Sequence, residues 1–295
     1  MSGGLPPRAL AALALLFNAF TWGVSWWPFR AMAGLGLHAL WLTVIAFGAA
    51  SVILVLRRPA ALGELLRTPV LWVLVAGAGT TNACFNWAVS IGDVVRVVLL
   101  FYLMPLWTAL LSRLLLGERI SARGALRVAM ALAGAATVLW PAGNAAQAWA
   151  GVGLADGLSV LGGFSFALNN VMLRREAHRS ESARALAMFA GGAIVAGGLA
   201  LLLTQAGRVP APPPVAAGWL LAATALAGWF LLANLSLQYG AARLPANTTS
   251  VIMVSEVVFA SVSALALGAG ALDARTAAGA VLIVGAALLA AWQRD

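Results

Sequence analysis

Val94-Val-Arg-Val-Val-Leu-Leu-Phe-Tyr-Leu-Met-Pro-Leu-Trp-Thr-Ala-Leu-Leu-Ser-Arg-Leu-Leu-Leu116 is the stretch of the chain that decides its fold class. Two arginines, one near each end, are its only charges. A helix needs roughly 20 residues to cross the hydrocarbon core of a bilayer, and this run is long enough. A membrane β-strand would be shorter and would alternate polar with apolar residues. The stretch therefore predicts a membrane-spanning helix.

The composition of the whole chain extends this prediction. Of the 295 residues, 62% are hydrophobic and 9% are charged, and the mean hydropathy is +0.95. A soluble domain has about 25% charged residues, so a water-soluble enzyme is excluded. Disorder requires low hydrophobicity and high charge and is also excluded. We therefore predict an all-α polytopic membrane protein, whose backbone hydrogen bonds are satisfied within helices.

Charges, prolines and turn clusters divide the chain into ten helix-length apolar segments. The predicted spans are 8–29, 37–56, 69–90, 94–116, 123–141, 150–173, 183–204, 215–239, 245–268 and 274–292. The connections between them are short, which leaves no room for a soluble catalytic domain.

The basic residues indicate the orientation of these spans. The net charge is +9, but the arginines lie between apolar runs and not along one face, which argues against nucleic-acid binding. With ten spans, Arg30, Arg96, Arg208 and Arg275 fall on one side and the other fourteen arginines on the opposite side. The positive-inside rule then places both termini in the cytoplasm, as expected for a multi-pass protein of a bacterial inner membrane.

The chain also contains a weak internal repeat. Residues 20–30, from Phe20 to Arg30, match residues 164–174 in their aromatic start and terminal arginine. Five spans in each of 1–147 and 148–295 would place the second half in the membrane in the opposite sense. We therefore predict a 5+5 inverted repeat forming one integrated membrane domain around a central cavity. Such repeats are typical of transporters that bind substrate near the bilayer midplane.

Four short motifs carry a resemblance to a known family. They are Trp22-Gly23, Tyr102-Leu-Met-Pro105, Leu116-Gly-Glu118 and Ser255-Glu256. With the length and topology, they make the chain resemble the drug/metabolite transporter superfamily in its ten-helix, EamA-type form. The resemblance implies a secondary transporter that works by alternating access and uses no cofactor. Val257 departs from the pattern, because a proline usually follows the glutamate there.

Two features narrow the resemblance. Tyr102-Leu-Met-Pro105 and Asn234 are similar to the aromatic amino acid exporter branch of the superfamily. This similarity implies export of amino acids with aromatic or broadly neutral side chains. The expected partners are the lipid bilayer and a small-molecule substrate. A monomer is compatible with the sequence, which leaves the oligomeric state open.

Glu256 is the carboxylate predicted to lie nearest the middle of a span, in segment 245–268. A charge at the bilayer centre costs about 2.5–3.5 kcal/mol or more, so an acid there is a candidate functional group. We interpret Glu256 as a candidate proton-coupling or amine-binding residue. The alternative is a structural acid bonded to Ser255, Ser261 or another helix.

Amide side chains supply further candidate donors and acceptors. Two pairs have i, i+4 spacing, which places both members on one helix face, and they suit a polar cavity. The alternative is interhelical hydrogen bonding, which stabilises membrane bundles. The predicted cavity-lining amides are Asn18, Asn82, Asn86, Asn169, Asn170, Asn234 and Gln238.

Aromatic side chains are the candidate walls of the cavity. The predicted wall residues are Trp22, Trp26, Tyr102, Trp107 and Trp229. Such walls suit aromatic or hydrophobic substrates, and an aromatic face attracts an ammonium group. Anchoring at the membrane interface is the alternative role of tryptophan.

Pro105 removes one backbone hydrogen bond within segment 94–116 and predicts a kink that could serve as a hinge. His38 and His178 are isolated in sequence, so we expect no metal site. No glycine-rich ATP-binding loop occurs either. Three alternatives remain: an exporter of cationic drugs or other metabolites in exchange for protons, a channel, and an intramembrane enzyme.

Overall fold

The computed structural model describes residues 7–117, 122–139, 152–214, 217–241, 243–244 and 252–291. Helices dominate these ranges, and no strand occurs within them. The helices are α1 (Pro7–Val24), α2 (Trp26–Gly34), α3 (Ala39–Arg57), α4 (Ala60–Arg67), α5 (Leu71–Ile91), α6 (Val94–Phe101), α7 (Met104–Leu116), α8 (Ala122–Leu139), α9 (Leu154–Arg175), α10 (Glu181–Gln205), α11 (Ala217–Ala241), α12 (Ser255–Ala266) and α13 (Ala274–Ala291).

Polar caps fix several helix ends. Asp93 accepts a hydrogen bond from the backbone N–H of Arg96 at the start of α6, and Ser180 accepts one from Ala183 at the start of α10. These bonds satisfy donors that have no partner inside the helix. Gly117 follows α7 with φ +70°, the left-handed conformation that glycine adopts without strain.

Five helical stretches are long and apolar enough to cross a membrane: Arg8–Gly34, Ala39–Arg57, Val94–Leu116, Glu181–Gln205 and Gly218–Leu237. A sixth arises if α4 and α5, which are bent by 102° relative to each other, are counted together. The length and composition of these helices confirm the prediction of an all-helical, multi-pass membrane protein. Ten spans and the 5+5 inverted repeat stay predictions.

Three segments differ from the single straight helices that the sequence predicts. A turn at Ser25 divides the first segment into α1 and α2, and a turn at Tyr102 and Leu103 separates α6 from α7. The connection after α3 contains a further short helix, α4. This helix lies in the connection between the predicted spans 37–56 and 69–90.

Glycines allow several helices to approach at backbone distance. A Cβ atom added to Gly79 in α5 would lie 2.3 Å from the Gly191 carbonyl oxygen in α10. A Cβ atom added to Gly134 in α8 would lie 2.9 Å from the Gly279 carbonyl oxygen in α13. Small residues at such crossings are the usual means of helix association in a membrane.

The pattern of helix contacts relates the two predicted halves. In the predicted repeat, the counterparts are α1 and α9, α3 and α10, α5 and α11, α6–α7 and α12, and α8 and α13. Exchanging each helix for its counterpart turns the α1–α11 contact into the α9–α5 contact. The α1–α12 contact corresponds in the same way to the contact of α9 with α6 and α7. The pairs α3–α10 and α8–α13 map onto themselves. A two-fold repeat of either sense would produce this pattern, and the inverted sense stays a prediction.

Candidate functional site

Tyr102 and Glu256 meet where two helical segments are interrupted. The Tyr102 hydroxyl donates to a Glu256 carboxylate oxygen at 3.2 Å and lies 3.4 Å from the Met253 carbonyl oxygen. Tyr102 directly follows α6, and Glu256 lies in the first turn of α12, after a turn at Val254. Segment 245–268 is therefore interrupted just before Glu256, and the position of Glu256 near the middle of a membrane span stays a prediction.

The chemistry of the chain explains the first interruption. Pro105 has no N–H to donate to the Phe101 carbonyl four residues earlier. α9 approaches at this place through a glycine, because a Cβ atom on Gly163 would lie 2.4 Å from the Phe101 oxygen. The segment therefore breaks as predicted, and its hinge role stays a prediction.

A serine compensates for the second interruption. The Ser255 hydroxyl donates to the Ile252 carbonyl oxygen at 2.6 Å, and the Val257 N–H donates to the Val254 oxygen at 3.1 Å. Glu256 then lies where the helix N-terminus has its partial positive charge, which favours a carboxylate. This placement requires no proline after the glutamate.

α1 and α2 lie directly against this part of α12. A Cβ atom on Gly23 would lie 2.8 Å from the Glu256 carbonyl oxygen and 2.7 Å from the Phe259 Cβ. The Trp26 indole N–H donates to the Ser263 hydroxyl oxygen at 3.0 Å. Ser263 follows Glu256 by seven residues, so the two lie on one face, two turns apart. The Trp22-Gly23 motif thus has a packing role beside the glutamate.

The seam between α1 and α11 carries several predicted residues. Trp22 stacks on Phe230 with ring centroids 4.9 Å apart. The Trp229 indole N–H donates to the Thr21 hydroxyl at 2.8 Å, and the Asn18 side-chain amide donates to the Ala233 carbonyl at 2.8 Å. The seam therefore combines an aromatic face with amide and hydroxyl groups in direct helix–helix contact, and the role of these residues as a cavity wall stays a prediction.

Three buried asparagines have side-chain oxygens with no hydrogen-bond donor among the described residues. Asn18, Asn86 and Asn169 are 1%, 0% and 2% exposed, and none of their side-chain oxygens accepts a hydrogen bond from the part of the chain that the structure describes. The Asn86 amide donates to the Thr43 hydroxyl at 3.0 Å. A buried acceptor without a donor is costly, so these oxygens are suited to a donor from a ligand or water.

The remaining amide candidates are placed differently. Asn82 donates to the Ala78 carbonyl of its own helix at 2.8 Å, and Asn170 is exposed. Asn234 is half-buried. The side chains of Gln238 and Pro105 lie outside the described residues. Asn82 and Asn86 lie four residues apart on α5, but their side chains have different hydrogen-bond partners.

Trp107 lies in a separate cavity of about 430 Å³ on the side of α9, together with Asp156 and Phe164. Its ring meets Phe164 edge-on with centroids 5.5 Å apart, and its buried indole N–H has no hydrogen-bond partner among the described residues. The role of Trp107 in lining the predicted substrate cavity stays a prediction.

A larger cavity of about 610 Å³ opens where α2, α5 and α12 end. Its lining residues include Arg30, Ser90, Asp93 and Gly268. The Arg30 guanidinium donates to the carbonyl oxygens of Val89 and Gly92, and its Cζ lies 5.4 Å from the centroid of the Trp26 ring.

An apolar cluster occupies the space between this cavity and Glu256. It follows α12 from Val257 to Ala264 and includes Trp26, Phe85 and Val98. The cavity entrance is therefore separated from the carboxylate by packed side chains.

Ionic contacts join the two predicted halves at the same end of the molecule. The Arg96 guanidinium binds Asp156 through two hydrogen bonds, of 2.7 and 3.0 Å. The Asp93 carboxylate caps α6 and also accepts a hydrogen bond of 2.7 Å from the Ala271 N–H. The sequence alone could not indicate that the Arg96 guanidinium bridges to α9.

Sequence reasoning missed the hydroxyl partners Thr21, Thr43 and Ser263. Thr21 and Thr43 are each a single hydroxyl in an apolar run, and Ser263 lies two residues after Ser261; in all three cases a bond to the residue's own helix is the default expectation. Ser263 had a detectable signal, because it repeats the Glu256 face after seven residues.

Among known protein families, the EamA-like transporter family matches residues 9–140. No curated protein matches the chain. A structure described as "Crystal structure of protein" matches with a TM-score of 0.59 and 22% identity, and the match covers 95% of each chain. That likeness shows a shared fold. Together with the apolar helices, the EamA-like match, which covers less than half of the chain, supports a multi-pass membrane protein.

Proposed function

We propose that the protein is a secondary transporter that exports small metabolites, chiefly amino acids with aromatic or neutral side chains, across a bacterial inner membrane. The proposal includes alternating access of a central site and cytoplasmic termini. The EamA-like match already suggests a membrane transporter of small molecules. The substrate class, direction and mechanism are the proposed part.

One observation carries the proposal: Glu256 meets Tyr102 at two interrupted helical segments, with a hydroxyl–carboxylate distance of 3.2 Å. Broken helices in transporters present free backbone groups and helix ends to a substrate at the membrane midplane. A carboxylate there can bind an ammonium group or a proton. It therefore suits a substrate that carries an amine.

Other predicted site residues suit the rest of an amino acid. Trp22, stacked on Phe230, offers an apolar wall for a neutral or aromatic side chain. The side-chain oxygens of Asn18, Asn86 and Asn169, which have no donor among the described residues, are acceptors for donors on the substrate or on bound water. The exchange-symmetric helix contacts support the two-fold repeat on which rocking between two access states depends.

Counterflow in proteoliposomes tests the proposal. Vesicles loaded with unlabelled amino acids, one at a time, are diluted into the labelled compound, with and without an imposed pH gradient. We expect saturable counterflow for aromatic or neutral amino acids. Absence of counterflow across the whole panel would overturn the amino-acid assignment.

Glu256→Gln tests the central residue, and Glu181→Gln in the exposed first turn of α10 is its matched control. We expect Glu256→Gln to weaken substrate binding or abolish pH dependence, and Glu181→Gln to leave both unchanged. Transport by Glu256→Gln that equals the wild type at every pH would remove Glu256 from the mechanism.

A second candidate function is export of cationic drugs in exchange for protons. It is favoured by the same carboxylate beside aromatic rings, because a buried acid and an aromatic face both attract an organic cation. Drug-driven proton release from vesicles that requires Glu256, with no amino-acid counterflow, would select this function.

A further inference from the structure

α4 runs across the direction of the neighbouring helix and not along it. It spans Ala60–Arg67, and its axis is bent by 102° from that of α5, the predicted span that follows. If α5 crosses the bilayer, α4 lies close to the membrane plane. Its position between α3 and α5 places it at the end of both helices, where headgroups meet hydrocarbon.

The two apolar faces of α4 have different surroundings. Ala61 and Leu65, one turn apart, are 1% and 4% exposed and pack against the start of α10. Leu62 and Leu66 are also one turn apart and lie about 100° around the helix. They are 40% and 60% exposed, so this second face has no protein partner among the described residues.

α4 and its flanking residues carry more positive than negative side chains. Arg57, Arg58 and Arg67 are all exposed. Glu64, the acid of the helix, accepts hydrogen bonds from the Ser180 hydroxyl at 2.5 Å and from its N–H at 3.2 Å. These bonds lower the pKa of the Glu64 carboxyl and hold it toward the protein. The outer surface of α4 therefore presents cations beside an apolar stripe.

We propose that α4 and its flanking arginines form a binding surface for anionic phospholipid headgroups. Leu62 and Leu66 enter the edge of the hydrocarbon, as the apolar face of an interfacial helix does. Arg58 and Arg67, near opposite ends of the helix, bind headgroup phosphates, for which the planar guanidinium is well suited. The site does not depend on the transported substrate, so it stands or falls separately from the proposed function.

Thermal unfolding in detergent tests this surface on the full-length protein. Cys84 is the one cysteine of the chain and is buried, so a thiol-reactive dye reports unfolding. Phosphatidylglycerol, phosphatidylcholine or inorganic phosphate is titrated, and the concentration for the half-maximal rise in Tm is measured. We expect phosphatidylglycerol to raise the Tm and the other two additives to have little effect.

Matched variants then test which arginines are responsible for the rise in Tm with phosphatidylglycerol. Each juxtamembrane arginine contributes about fivefold to affinity for an anionic surface. Arg67→Gln should therefore raise the half-maximal concentration about fivefold, and Arg58→Gln with Arg67→Gln roughly 25-fold. Arg208→Gln, at an exposed arginine after α10, is the control and should leave it unchanged.

Three results would overturn the proposal. An equal loss in Arg208→Gln would mean that phosphatidylglycerol responds to overall charge. Unchanged stabilisation of the double variant would remove α4 as the site. Equal stabilisation by inorganic phosphate would show an ion site and not a lipid surface.

Discussion

The interruptions beside Tyr102 and beside Glu256 reach a similar geometry by different chemistry. At the first, a proline follows the turn and withholds one N–H from the helix. At the second, no proline is present, and Ser255 binds the Ile252 carbonyl that precedes the break. Each place is approached by a glycine, Gly163 in α9 and Gly23 in α1.

This difference separates two means of breaking a membrane helix. A proline imposes a break through its own covalent structure. A serine only compensates for a break, since its hydroxyl replaces one lost backbone hydrogen bond. The packing of α1 and Tyr102 must therefore hold the interrupted helix in place. The break before Glu256 therefore depends more on its neighbours than the break after Tyr102 does.

Proline scanning of α12 gives the largest expected effect. Val262→Pro, in the middle of the helix, should cost about 3 kcal/mol or more of unfolding free energy, because it removes a helical bond and clashes with the preceding turn. Val257→Pro removes only the 3.1 Å bond to Val254 in the first turn and should cost about 1 kcal/mol. Equal losses in detergent unfolding curves would mean that α12 does not begin at Ser255.

Glycine replacement tests the contact at the first break. Gly163→Val places a side chain 2.4 Å from the Phe101 carbonyl and should cost about 1–3 kcal/mol through overpacking. Gly157→Val, on the same helix with no atom within 4 Å of the added Cβ, is the control. A similar Tm for the two variants would contradict close packing of α9 on this break.

Removing the hydroxyl that joins the two breaks should have a smaller effect. Tyr102→Phe leaves Glu256 without its 3.2 Å donor and should lower the unfolding free energy by about 1 kcal/mol. Tyr239→Phe, at the other tyrosine of the chain, controls for the general loss of a phenol. If both variants unfold like the wild type, the hydroxyl does not couple the segments.

The serine at the second break should have the smallest effect. Ser255→Ala removes the bond to Ile252 and should cost about 0.5–1 kcal/mol. Ser51→Ala removes a bond of 2.8 Å to Phe47 inside the continuous helix α3, where all backbone groups are already paired, and should be near neutral. Equal values in the same unfolding assay would show that Ser255 has no special role.

The sequence predicts the helices well because an apolar run of spanning length has few other solutions in a membrane. It also predicts the break near Pro105, since the missing N–H is a covalent property. The turn at Val254 was not predictable in this way, because no proline or glycine occurs there. It depends on contacts with other helices that the local sequence does not record.

The candidate site was predictable only by residue type. Asn82 and Asn86 occupy the same face of α5 by spacing, yet Asn82 binds its own helix while Asn86 binds Thr43 in α3. The neighbouring helix decides between these outcomes. Tyr102 and Glu256 were each singled out separately, but their contact across the predicted halves is a property of the tertiary fold.

The packing of α5 has a consequence for biosynthesis. α5 lies mainly against α9 and α10, with its glycines at backbone distance from them. Those helices are synthesised roughly a hundred residues later, which at ribosomal speed is a delay of about 5–20 s. During that interval the polar and glycine surface of α5 faces lipid or the insertion machinery. The first half of the chain must therefore persist in the membrane as an unfinished intermediate until its partners emerge.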